Sequence, residues 1–177
     1  MSQIRRIAWV AFICIAIGVL LWWRLPSFLV HPSTERRHDD KNNSYLIDGK
    51  IVTLVNGVSI DQDPQGSKTT TTFFGNEVTA DLNGDGMADT AFLLTQQTEG
   101  TGTFYYVVAA VSTPKGIVGT NAILLGDRIA PQTTEFRDGN LIVNYADRNV
   151  SDPFTTPPSV GKTMIIQVKN NQLVVKP

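Results

Sequence analysis

The chain reads as an all-β protein, an antiparallel meander forming a sandwich or barrel-like domain, preceded by one N-terminal transmembrane helix. Three observations predict this. From Tyr45 onward, short runs of β-branched and aromatic residues alternate with turn pairs such as Asp48-Gly49, Asn56-Gly57, Asp138-Gly139 and Asn170-Asn171. The same region carries no helical spacing of apolar residues longer than a turn or two. Residues 7–23 form an apolar run without a single charge.

That run, IAWVAFICIAIGVLLWW, would span about 25 Å as a helix, a little short of a bilayer's hydrocarbon core of roughly 30 Å. Leu25 and the flanking aromatics extend it. Trp9 lies near one end and Trp22 and Trp23 mark the other, as interfacial residues do; these are all three tryptophans of the protein. The run has no polar face, unlike a helix that packs on a soluble core. Arg5 and Arg6 precede it, which predicts a cytoplasmic N-terminus and a single pass through the cytoplasmic membrane, with the C-terminal domain outside the cytoplasm; Arg24 weakens that bias. A cleaved signal peptide is the rival reading, but Arg-Leu-Pro-Ser-Phe offers no small-x-small site. Cys14, the one cysteine, follows Phe12 and Ile13 and lacks the small residues that precede a lipidated cysteine. Residues 1–25 therefore read as an uncleaved anchor.

Residues 26–44 read as a flexible linker. Pro26 stops the helix, and STERRHDDKNNS from 33 to 44 is charged and poor in apolar residues. His31 and His38, the only histidines, fall here, as solvated linker residues rather than metal ligands.

Residues 45–177 read as the β-domain, large enough for one core. Tyr45–Ile47 and Lys50–Val55 predict a hairpin about Asp48-Gly49. Asp61 to Thr72 is polar and predicts a mobile surface loop. Phe73-Phe74-Gly75 begins a strand, Thr90 to Thr95 forms the next, and Thr103 to Val111 forms the strongest, its apolar run predicting a central strand covered on both faces. Gly116 to Leu125 predicts one further strand. Residues 133–145 predict a second hairpin and 164–175 a third. Pro153, Pro157 and Pro158 fall between these two, where no ladder donor is missed. The total is eight or nine strands.

Between the strands at 73 and 90 lies Asp81-Leu-Asn-Gly-Asp-Gly-Met-Ala-Asp89. Oxygen-bearing side chains fall at the first, third, fifth and ninth places and glycine at the sixth, the spacing of a hard-oxygen cage for Ca²⁺. Asp81, Asn83 and Asp85 would turn inward, Met87 would contribute its carbonyl, and Asp89 would close the ring directly or through water. Carboxylates gathered this closely repel one another unless a cation joins them. The twelfth place, which in an EF-hand holds a bidentate Glu, is Phe92, and no amphipathic helix follows. The missing ligand implies an affinity of about 10⁻⁴ to 10⁻³ M, that of a structural ion outside the cell. A plain hairpin is the alternative, because Asn-Gly and Asp-Gly turn without metal.

Over roughly residues 73 to 94 the loop resembles the Asp-x-Asp/Asn-x-Asp-Gly-x-x-Asp loops of FG-GAP and VCBS-type repeats and, less closely, dockerin loops. The resemblance implies Ca²⁺ at Asp81, Asn83, Asp85, Met87 and Asp89. Those repeats come in tandem and here there is one copy. The pairing of this loop with FYYVVAAV, and with the later GTNAILLGDRIAPQTTEF and NLIVNYADR, also resembles a family of small uncharacterised bacterial exported β-domains. That resemblance covers most of residues 45 to 169, and it implies fold and envelope location but no activity.

After residue 24 there are twelve Lys and Arg against sixteen Asp and Glu, a formal −4, which gives no footprint for nucleic acid and no general pull toward anionic lipid. No histidine follows the linker, so a Ser-His-Asp triad lacks its base. Asp127-Arg128 and Asp147-Arg148 read as ion pairs fixing loops, or less readily as a polar site. The sequence thus predicts a membrane-anchored, calcium-stabilised extracytoplasmic β-domain acting as a binding or envelope-assembly module. Its partners would be the membrane through residues 7–23 and an envelope protein or glycan; the alternative is a cell-envelope hydrolase or carbohydrate-active domain. A reporter fused after Pro177 is expected to be active only outside the cytoplasm, and activity inside would refute the orientation.

Overall fold

Strands dominate the residues that the computed structural model describes: 39–100, 102–153 and 155–177. The predicted anchor and linker up to residue 38 lie outside them. Among the described residues no helix is long and apolar enough to cross a membrane.

Twelve strands follow a 3-10 turn at Asp40–Asn42: β1 (Ser44–Ile47), β2 (Lys50–Thr53), β3 (Val58–Gln62), β4 (Lys68–Ala80), β5 (Asp89–Gln97), β6 (Phe104–Thr113), β7 (Gly116–Gly119), β8 (Ile123–Asp127), β9 (Ala130–Arg137), β10 (Asn140–Asp147), β11 (Val160–Lys169) and β12 (Gln172–Val175). Their sheet partners are antiparallel and mostly consecutive, as a meander requires. One sheet runs β3-β4-β5-β6-β7 with β8 also on β6, another β12-β11-β10-β9, and β1-β2 forms a separate hairpin.

Strand alternation explains how three layers share two cores. Ala91 and Leu93 of β5 and Val107, Ala109 and Val111 of β6 face the four-stranded sheet, meeting Leu141, Val143, Ile166 and Val168. The alternate residues Phe92, Leu94, Tyr106, Val108 and Ala110 face the opposite way, onto Tyr45, Ile47 and Leu54 of the first hairpin and its exit. The central strands are therefore covered on both sides, which is why they read as continuous apolar runs. Phe92 anchors the second core with an edge-on contact to Tyr45 (centroids 5.5 Å apart) and a tilted one to Phe73 (4.9 Å).

The architecture is an open sandwich rather than a closed barrel. Isolated bridges Leu46↔Asn121 and Val55↔Val58 tie the β1-β2 hairpin to both ends of the six-stranded sheet, but no continuous ladder joins β2 to β3.

Two sequence expectations are corrected. Residues 61–72 are not a free surface loop: β3 and β4 pair from Val58↔Thr72 to Gln62↔Lys68, leaving only 63–67 as the turn. Thr69–Thr72 are β-branched and suit a pleated ladder although they are polar. The single strand at 116–125 is two strands, and the described residues hold twelve strands rather than eight or nine. β7 pairs with Ala110–Thr113 and β8 with Phe104–Val107. Between them buried Thr120 accepts the Ala109 N–H on its Oγ1 (2.9 Å), while its carbonyl accepts the Leu46 N–H (3.1 Å) and the Ala122 N–H reaches the Leu46 carbonyl (2.8 Å). The chain steps aside there to bind β1.

That step needs Gly119. A Cβ on it would lie 2.0 Å from the Ser44 carbonyl oxygen and 2.8 Å from the Tyr45 ring. Gly119→Ala is expected to destabilise the protein by about 1–3 kcal/mol through overpacking. Amide exchange should quicken in β1 and β2 and stay unchanged in β9–β12. An unaltered unfolding midpoint would refute this close packing.

Candidate metal centre

The 81–89 loop joins β4 to β5, two central neighbours, so its geometry is set by strands on both sides. The Asp81 carboxylate accepts three main-chain N–H groups: Gly84 (2.8 Å) and Asp85 (3.0 Å) on Oδ1, and Gly86 (2.9 Å) on Oδ2. Gly84 and Gly86 hold φ of 81° and 85°, which turns these amides inward. The Gly86 amide above all, with those of Gly84 and Asp85, holds the Asp81 carboxyl below the usual carboxylate range.

Asn83 and Asp85 interlock beside it. The Asn83 Nδ2 donates to Asp85 Oδ2 (2.9 Å), the Asp85 N–H donates to Asn83 Oδ1 (3.0 Å), and the Met87 N–H donates to Asp85 Oδ1 (2.8 Å). Asp81, Asn83, Asp85 and the Met87 main chain are thus brought together in one turn.

Asp89 does something the spacing does not disclose. It is fully buried, at 0 % exposure. Its Oδ2 accepts the Leu82 N–H (3.0 Å) and its Oδ1 the Ser112 N–H at the end of β6 (2.8 Å). Ser112 Oγ in turn donates to the Ala88 carbonyl (2.6 Å). Burial pushes the Asp89 carboxyl upward, opposed by these two amides and reinforced by the charges of Asp85 and Asp81. Asp89 is therefore close enough to feel the other two carboxylates, yet both of its oxygens are engaged, one within the loop and one on β6. Leu82 and Ser112 were not identifiable as partners, since Ser112 is remote in sequence and only the folded sheet brings it near.

Among the described residues, no three His, Cys, Asp or Glu side chains are gathered as metal donors. The side-chain donors that do meet are Asp81, Asn83 and Asp85. They offer oxygen only, which suits a hard cation such as Ca²⁺ and not zinc.

The Asp-Arg pairs lie at another rim. Asp127 is bound by Arg128 (2.7 Å) and accepts the Thr103 N–H (2.8 Å). Asp147 is bound by Lys162 (2.6 Å) and accepts the Arg148 N–H (2.7 Å). Arg148 donates to the Arg128 carbonyl (2.8 Å) and to that of Thr156. The Arg128 guanidinium lowers the Asp127 carboxyl and the Lys162 ammonium lowers that of Asp147. These groups clamp the segments after β8 and β10.

Asp89→Ala would leave the buried Leu82 N–H and the partly buried Ser112 N–H unpaired, at a cost of up to roughly 1–3 kcal/mol each. The unfolding midpoint is expected to fall accordingly, with faster exchange at Leu82 and Ser112. Unchanged exchange at both amides would refute the tie. Comparison of the chain with protein-family models, curated proteins and solved structures returned no match.

Proposed function

We propose that the chain is a membrane-anchored extracytoplasmic β-domain, stapled by Ca²⁺ at residues 81–89, that acts as a binding or envelope-assembly module. The observation that carries the metal part is the Asp81 carboxylate, kept ionised by three converging amides beside the oxygens of Asn83 and Asp85. A carboxylate pre-oriented in this way loses little freedom when a cation arrives. Ca²⁺ would be held by Asp81, Asn83, Asp85 and the Met87 carbonyl, with Asp89 acting from behind or through water. Its role would be structural, because the loop is a joint between strands and β5 leaves it directly. The loop's likeness to FG-GAP and VCBS-type calcium loops supports this reading, as the apolar run at 7–23 supports the tether.

A binding role is favoured over hydrolysis by the state of the two carboxylates of the Asp-Arg rim. General acid catalysis needs a carboxyl raised toward neutrality. Asp127 and Asp147 are shifted the other way by their cations.

At about 10 mM Ca²⁺, an affinity of about 10⁻⁴ to 10⁻³ M would stabilise the protein by about 1.4–2.7 kcal/mol. The melting temperature is expected to rise by several degrees, and Asp85→Ala should abolish the rise. A melting curve unmoved across millimolar Ca²⁺ would sink the metal site.

A further inference from the structure

We infer that the cleft between β2 and β3 is a strand-addition site that takes an extended peptide of another protein between two sheet edges left open among the described residues. This deepens the binding-module reading, on which it rests, and does not draw on the metal.

The two strands leave the Asn56-Gly57 turn as if to form a hairpin, but they pair only once. Val55 N–H bonds the Val58 carbonyl (2.8 Å) and Val58 N–H the Val55 carbonyl (3.2 Å). Beyond that point they part around a groove of about 540 Å³. Strand alternation then fixes which main-chain groups face it. Val58 points its N–H and C=O at β2, so Ile60 and Gln62 point theirs the same way. Gly57 and Asp63 point the other way, and their bonds to Phe73 (2.7 Å) and Ser67 (3.0 Å) show it. On the opposite wall Val55 faces β3, so Thr53 and Ile51 do too, while the alternate residue Leu54 bonds inward to the Asn43 carbonyl (2.9 Å). Ile51, Thr53 and Ile60, which line the cleft, therefore present main-chain donors and acceptors to it from two sides, and Gln62 continues the same edge of β3 beyond it.

This arrangement selects its occupant by chemistry. Only an extended polypeptide carries N–H and C=O groups on both edges at the strand repeat. Because β2 and β3 run in opposite directions, the added strand would lie antiparallel to one wall and parallel to the other. Side chains on its inner face would meet a polar floor of Thr69, Thr71 and Gln96. Those on its outer face would lie between Ile51 and Ile60, which are 76 % and 61 % exposed. Cross-strand contact with two β-branched neighbours favours β-branched residues there. Asp48 and Asp61 outnumber Lys50 among the lining charges, which favours a basic end on the peptide.

The test is hydrogen exchange on the full chain with an acetylated peptide of alternating character, Lys-Val-Thr-Val-Thr-Val. The expected result is at least about tenfold slower exchange at Ile51, Thr53 and Ile60, with no change in β9–β12. Two controls isolate main-chain recognition. The same peptide N-methylated at alternate residues should give no protection. Ile60→Pro, which removes an outward N–H from an edge strand without costing a ladder bond, should abolish protection while leaving the melting temperature close to that of the parent. Absence of protection, equal protection by the methylated peptide, or protection that arises in the protein alone as its concentration is raised would each overturn the proposal; the last would assign the cleft to a second copy. Loss of peptide binding with the Ca²⁺-dependent rise in melting temperature intact would remove strand addition alone. Loss of both would remove the stapled-module reading as well.

Discussion

The double burial of β5 and β6 is the constraint on which the rest of the structure depends. From Ala91 to Leu94 and from Val107 to Val111 no side chain reaches water. Each strand must therefore find apolar cover above and below and complete ladders on both edges. The four-stranded sheet supplies one cover and the β1-β2 hairpin the other. The second cover is small, which is why a short hairpin carries Tyr45, Ile47 and Leu54 so deeply and why Gly119 has to let it approach. Tyr45 shows the cost of such depth being met: its hydroxyl donates to the Asp40 carbonyl at 2.7 Å, so the one polar atom of that side chain keeps a partner.

The 81–89 turn stands in the same relation to the core. Asp89 occupies the first position of β5, where burial has already begun, and a bare carboxylate there would be unfavourable. Two amides satisfy it, one within the turn and one on β6. Asp85, by contrast, is exposed and Asp81 only half-buried. The acidic residues of the motif thus divide between an inward structural member and an outward pair, a division that the regular spacing of the motif conceals.

What the sequence made legible was what local chemistry decides. Asp48, Asn56, Asp138 and the Asn170-Asn171 pair all take positive φ at hairpin turns, as their residue types foretell. The covering of β6 on both faces was visible in its unbroken apolar run. What escaped notice depends on distant partners. Thr69–Thr72 carry no apolar alternation, and only β3 and β5 on either side make them a strand. The break at Thr120 has no turn dipeptide, because Leu46 causes it. The extra residues in β4 around Gly75 and Asn76 likewise show only in the register, where Phe74 is turned outward onto Tyr105. The chemistry of the candidate site was readable at Asp81, Asn83 and Asp85, which answer to one another, and unreadable at Asp89, which answers to Ser112.

The single parallel bridge between Leu46 and Asn121 sets an order in time. The ribosome delivers β1 and β2 first, yet the surface they cover is not finished until β5, β6 and the step at Thr120 have followed. For that interval Tyr45, Ile47 and Leu54 belong to a two-stranded hairpin too small to hold itself together in water. β1 and β2 are thus made before the surface they cover, and Tyr45, Ile47 and Leu54 wait for their cover until the step at Thr120 has followed.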